Sequence, residues 1–427
     1  MAWQRFGVLL ACALRCVAVY EAGQVPLITP SRVFTLRQVH HHGVHKYPYL
    51  HRYADVQVSG PLHITDEYGE TLINHDPRYF IRDDFMTTLR PVYSSHDHGH
   101  RSQDDAMPIS WLQDERRGPA VTDKQTVLSF AKMAANAYAR KDNSSEWKWI
   151  DVGSGFNYTD DFGWENDGLR GHVFADEQNQ TVVISIKGTS VSWLDPPDTV
   201  HRDVLNDNLF ASCCCAQGWP WLGKAVCNCR TGWNTCNSTC LTAALRTRTS
   251  YYWAAKELYH NITMLYPDAD IWMTGHSLGG VVSSLLGLTF GLPTLTFEAY
   301  PDALAASRLG LATPPDYSPG RPGERGLHAP HVYHYGHTAD PIFMGTCNGL
   351  FSTCNSWGYA LESKCHTGVQ CIYDTAKDLG WRQDVRAHSI VKVIEDVLDV
   401  YDDVPECTRE TQCTDCGKWK FETGHHG

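Results

Sequence analysis

The chain of 427 residues is 42% hydrophobic and 20% charged, a balance that supports a sizeable packed core and leaves disorder to short segments. A formal charge of −12 at neutral pH, with no basic stripe to neutralise phosphates, excludes nucleic acid as a partner. That count holds the 22 histidines neutral; protonated together at roughly pH 5 they would carry the balance towards +10, so the protein's sign is expected to depend on its compartment.

Residues 6–20, FGVLLACALRCVAVY, follow Arg5 and form a strongly apolar stretch. As a helix it spans roughly 22 Å against a hydrocarbon core of about 30 Å, which on length alone suits a cleaved signal peptide. No small-x-small site follows it, so residues 1–22 are expected to stay as a signal anchor, with Arg15 snorkelling towards the interface. Residues 23–121 are rich in His, Pro, Asp and Arg, with HHHGVHKYPYLHRY near their start and HDHGH at His96 to His100. A solvated arm explains this composition; metal binding by the histidines is the rival reading. Alternation in YADVQVS (53–59) predicts that part of the arm pairs with something.

The hydrolase domain is expected over 122–402. A capping box, Thr122-x-x-Gln125, opens a helix carrying Val127, Ala131, Ala134, Ala135 and Tyr138 at helical spacing. Strands are predicted at 169–176 and 181–188, the second nearly all apolar as an inner strand should be and ending in Lys187-Gly188-Thr189. A long insertion follows, the place for a lid or binding loop, with Trp219-Pro-Trp221 inside it as a candidate lipid contact. An amphipathic helix is predicted from Leu241 to Pro267. It leads into DIWMTGHSLGGVVSSLLGLTF (270–290), a strand, G-x-S-x-G and an apolar helix. That context is the one a nucleophile elbow needs, because the serine's strained backbone requires small residues two before and two after it, here Gly275 and Gly279. Ser277 is the candidate nucleophile, and the amide of Leu278 at the helix start is a candidate oxyanion donor.

A serine hydroxyl needs a base, and the base needs an acceptor to fix its tautomer. Strands at 293–300 and 331–337 lead to Asp340-Pro341, and His388 opens a further helix; Ser277, Asp340 and His388 therefore come in the chain order of α/β hydrolases. Asp302, also just past a strand, is the alternative acid, and His366 the alternative base; His276 adjoins the serine but cannot easily fold back onto it.

Fourteen cysteines lie outside the apolar segment, in insertions at 213–240 and 347–371 and in a tail at 403–427. Even in number and accompanied by sequons at Asn143, Asn157, Asn179, Asn237 and Asn261, they read as a disulfide framework in an oxidising compartment. Zinc at Cys413-x-x-Cys416 is the competing reading.

Ile184-Ser-Ile-Lys-Gly-Thr189, Thr274-Gly-His-Ser-Leu-Gly-Gly280, His337-Thr-Ala-Asp-Pro-Ile342 and Arg386-Ala-His-Ser389 together resemble the fungal autophagy-related vacuolar lipases, class 3 lipases of the α/β-hydrolase fold. The resemblance implies an α/β fold with cysteine-rich insertions and an N-terminal membrane segment, and an oxyanion amide at Thr189. It implies a single-pass type II glycoprotein whose luminal enzyme travels through multivesicular endosomes and lyses autophagic bodies in the vacuole. Membrane phospholipids and acylglycerols are the expected substrates; no cofactor or metal is expected. A feruloyl-esterase-like hydrolase and a catalytically dead lipid-binding protein are the alternatives.

Overall fold

The computed structural model describes residues 30–44, 50–56, 62–65, 71–93, 109–138, 150–151, 168–189, 197–217, 223–315, 317 and 328–423. Its principal strands are β1 (Arg32–His42), β2 (His51–Asp55), β3 (Arg78–Ile81), β4 (Asp83–Tyr93), β5 (Ile109–Pro119), β6 (Leu169–Asp176), β7 (Thr181–Ile186), β8 (Asp270–His276), β9 (Thr294–Phe297), β10 (Val332–His337), β11 (Val369–Tyr373) and β12 (Cys407–Arg409). The principal helices are α1 (Lys124–Asn136), α2 (Pro197–Ala211), α3 (Ser238–Leu245), α4 (Tyr251–Leu265), α5 (Leu278–Phe290) and α6 (Ala303–Leu309).

The central sheet runs β12-β11-β10-β9-β8-β7-β6-β1-β2, with β3 also on β1. Strands β7 to β11 are mutually parallel, while β6, β1 and β2 continue the sheet antiparallel. Every residue of β7 is buried, and alternation divides them between two cores. Val183 packs with Val127 and Phe130 of α1, whereas Val182, Ile184 and Ile186 pack with α4 and α5. Helix α5 is buried from Leu278 to Leu288, so it sits inside the fold rather than on it, and Gly291 ends it at a φ of 67°.

Two local expectations shift. Asp123, not Thr122, caps α1, its carboxylate accepting from the Thr126 amide at 2.9 Å. The helix predicted from Leu241 to Pro267 is two, α3 and α4, because Ser250 caps a fresh start by accepting from the Trp253 amide.

The larger correction concerns the arm. From Arg32 it is part of the fold: β1 pairs with β6 along its length, and Phe34, Leu36, Val39 and His40 to His42 are buried. The hairpin β4–β5 packs on the parallel sheet, the Arg117 carbonyl accepting from the Trp272 indole at 3.2 Å. Histidine reads as a solvated residue in such a composition, but here its neutral form is threaded into one directional chain. The Asn261 amide donates to His51 Nδ1 (2.6 Å), His51 Nε2 to His40 Nδ1 (3.0 Å), and His40 Nε2 to the Gln38 amide oxygen (3.1 Å). No metal is needed to satisfy this group. The apolar stretch at 6–20 and the histidines at 96–100 lie outside the described residues, among which no helix is long and apolar enough to cross a membrane.

All fourteen cysteines pair, as Cys213–Cys416, Cys214–Cys236, Cys215–Cys227, Cys229–Cys240, Cys347–Cys354, Cys365–Cys413 and Cys371–Cys407. Cys413 and Cys416 are thus unavailable to zinc. Of the sequons within the described residues, Asn179 stands exposed on the β6–β7 turn, whereas the Asn237 side chain caps α3 and that of Asn261 belongs to the histidine chain. Asn143 and Asn157 lie outside the described residues.

Burial pushes His51 and His172 down to about 3 and His331 and His366 to about 4, and lowers His40 strongly, so acid does not charge the 22 histidines together. The reversal towards +10 expected from composition does not follow. Instead the unfolded chain takes up protons below about pH 6.5 that these folded histidines refuse, so each withdraws roughly 1.4 kcal/mol of stability per pH unit until its own folded value is reached. The urea midpoint is therefore expected to fall steadily between about pH 6.5 and pH 4.5. A midpoint flat across that range would show that these histidines are charged in the folded protein.

Candidate active site

The parallel strands end on one side of the sheet, and the candidate residues leave from those ends. Ser277 stands between β8 and α5 with φ 55° and ψ −127°, a conformation that costs a non-glycine residue strain. Close backbone approach explains the glycine at 279, where a Cβ would run into the Ile186 carbonyl oxygen, and at 275, where it would meet the Gly279 carbonyl. The same crowding presses Gly188, and with it the start of the Thr189 segment, against the His276 carbonyl. The Leu278 amide lies in the first turn of α5, where no intrahelical acceptor exists. The Thr189 hydroxyl donates to Asp207 of α2 at 2.9 Å, which ties the segment down.

Ser277 Oγ lies 2.8 Å from His388 Nε2, and His388 Nδ1 lies 2.7 Å from Asp340 Oδ2. Since the carboxylate can only accept, Nδ1 carries the proton and Nε2 is left to receive the serine's. Burial works to raise the Asp340 pKa, but the His388 ring and its hydrogen bond outweigh it and hold the carboxyl at about 2. Asp340 Oδ1 meanwhile accepts from the Ile342 amide at 2.8 Å, locking the turn. The other candidates are engaged elsewhere: Asp302 accepts from Ser284 and from both the amide and the hydroxyl of Thr367, and His366 Nε2 donates to the Phe343 carbonyl.

Three supporting groups were not legible beforehand. His388 closes a short 3-10 turn, Val385–His388, just ahead of the helix that Ser389 caps at Ile390, and two histidines hold the turn by its carbonyls. His276 Nε2 donates to the His388 carbonyl (2.9 Å) while its Nδ1 accepts from Tyr138, and His337 Nε2 donates to the Ala387 carbonyl (3.0 Å). The third is Glu298, fully buried at a left-handed φ of 45° just past β9. It faces the Asp340 carboxylate, and His337 Nε2 lies 3.9 Å from its Oε1. Burial first, and the Asp340 charge second, push its pKa well up, so Glu298 is a neutral acid beside an ionised one.

The Asp302, His334 and His366 side chains converge closely enough to hold a metal ion, but the Asp302 oxygens are taken by Ser284 and Thr367. Cys215, Cys227 and Cys229 also converge, and all three are in disulfides. A groove of about 350 Å³ lies between α2 and the α3–α4 junction; its walls, which include Leu205, Leu209 and Val226, hold none of Ser277, Asp340 or His388.

A sheet with a parallel core and a serine at its strand-to-helix elbow defines an α/β-hydrolase fold. Residues 221–293 match the class 3 lipase family. A protein of Passalora fulva named "Putative lipase ATG15" is 53% identical over 404 residues, 91% of this chain and 60% of that protein. A protein of the same name from Penicillium rubens is 45% identical over 442 residues, 97% of this chain and 65% of that protein. The chain spans 60 to 65% of the length of these relatives. Among solved structures, Lip2 lipase from Yarrowia lipolytica matches at 16% identity over 58% of this chain and 78% of its own, with a TM-score of 0.29. A triacylglycerol lipase from Penicillium expansum matches at 13% over 60% and 82%, with a TM-score of 0.28.

Glu298 offers a test of the charge arrangement. If it is neutral, Glu298→Gln leaves the acid limb of the pH–rate profile in place. Removing an ionised carboxylate so near His388 would instead move that limb down by about one pH unit or more, because the imidazolium would lose a stabilising charge.

Proposed function

We propose that this chain is a serine lipase with phospholipase activity, hydrolysing ester bonds of membrane phospholipids and acylglycerols. The observation that carries the reading is the unbroken hydrogen-bonded line Ser277–His388–Asp340 at a strained elbow. Ser277 Oγ attacks the ester carbonyl as its proton passes to His388 Nε2, and Asp340 stabilises the imidazolium. The amides of Leu278 and Thr189 hold the oxyanion; the Asp207 bond to the Thr189 hydroxyl keeps that segment in register. His388 then protonates the departing alcohol, and water hydrolyses the acyl-serine by the same steps in reverse. No cofactor takes part.

The names of the two curated relatives support the lipase reading. Seven disulfides support a secretory-pathway or vacuolar-type compartment. There the protein, anchored through residues 1–22, disintegrates autophagic bodies and multivesicular-body vesicles. An aligned serine, base and acid speak against a dead lipid-binding protein, while a feruloyl-esterase-like hydrolase differs only in substrate.

A fluorophosphonate probe is expected to label the protein and to fail on Ser277→Ala. Turnover of phosphatidylserine, phosphatidylcholine and triglyceride vesicles is expected to fall by roughly a thousandfold or more in Ser277→Ala and Asp340→Asn but little in Asp302→Asn. Absence of labelling would favour the binding protein, and activity confined to soluble aryl esters would favour the esterase.

A further inference from the structure

The Cys347–Cys354 disulfide closes a small ring on the turn that carries Asp340. The Pro341 carbonyl accepts from the amides of both Thr346 and Cys347 at 2.9 Å, so the ring leaves the fold directly from that turn. Polar groups in and beside it bond to one another. Asn348 donates to the Gly345 carbonyl, Asn355 to the Leu350 carbonyl, and Ser352 accepts from the Asn355 amide. The large side chains it exposes are apolar: Phe351 is 97% exposed and Leu350 53%, and Trp357, just after the ring in sequence, is 51% exposed.

The stretch from Pro341 to Leu361 also contains no Asp, Glu, Lys, Arg or His, although a fifth of the chain is charged and about four Asp, Glu, Lys or Arg residues would be expected in a segment of this length. A braced, uncharged ring with a bare phenylalanine at its tip gains nothing for the core, and exposed apolar clusters mark contact surfaces. A protein partner is ordinarily met by charged side chains as well as polar ones, and this segment supplies no charge of its own. A bilayer selects against charge, since each one carried into the hydrocarbon is costly, and it favours tryptophan at the interface.

We propose that the Cys347–Cys354 ring, through Leu350, Phe351 and Trp357, is a docking surface for the lipid bilayer that brings the Asp340 side of the site to the membrane. This rests on the lipase reading above. It differs from the Trp219-Pro-Trp221 loop expected from sequence, which lies outside the described residues.

The test uses the full chain with Phe351→Asp and Phe351→Trp, phosphatidylcholine vesicles, and the soluble ester p-nitrophenyl butyrate. Co-sedimentation is measured in the Ser277→Ala background, so that docking is read without catalysis. Phe351→Asp is expected to weaken vesicle binding and vesicle hydrolysis by about tenfold or more while leaving p-nitrophenyl butyrate turnover unchanged. Phe351→Trp is expected to keep both. Vesicle binding unchanged in Phe351→Asp would overturn the proposal and leave the surface to a protein partner. Loss of soluble-ester turnover in both variants would also overturn it, because Phe351 would then serve the fold. Failure of the unsubstituted chain to hydrolyse either substrate would count against the lipase reading alone, since co-sedimentation still reports on the ring.

Discussion

Much of the molecule follows from holding Ser277 at a positive φ. A non-glycine residue there costs on the order of 1–3 kcal/mol and persists only where its surroundings over-determine it. Here the surroundings are the parallel pairing of β7 with β8, a helix α5 buried along eleven residues, and glycines that let three backbone segments touch. Any side chain at 279 would push α5 away from the end of β7, and the Thr189 segment would move with it.

The opposite side of the serine is built from histidines kept neutral. His276 and His337 grip the His388 turn by successive carbonyls, and Glu298, uncharged, backs the ionised Asp340. This packs four titratable groups around one working proton without placing like charges together. It also makes the fold sensitive to acid, which the covalent cross-links oppose by limiting how far the unfolded chain can expand. For Cys213–Cys416, which closes about 200 residues, chain-entropy arguments put that effect on the order of 5 kcal/mol.

The elbow was legible because its chemistry is local: five consecutive residues must satisfy one turn. Asp340 and His388 were legible through chain order, Asp340 just past a strand end and His388 just ahead of a helix. Cysteine oxidation was readable from number and setting, but the pairing was not, as partners lie from 7 to 203 residues apart. The strands of the supposed arm were missed because β1 finds its partner β6 more than 120 residues away, and because histidine reads as polar until its tautomer chain is seen. Glu298 was invisible for the same reason; nothing adjacent in the chain announces a carboxyl buried against another.

The path of Cys213–Cys416 has one more consequence. The bond closes a loop that contains Ser277, Asp340 and His388. Any single backbone cut within that loop leaves both pieces in one covalent molecule, with all three residues still joined to it. In a compartment full of proteases the protein can therefore be nicked into a two-chain form without shedding part of its site.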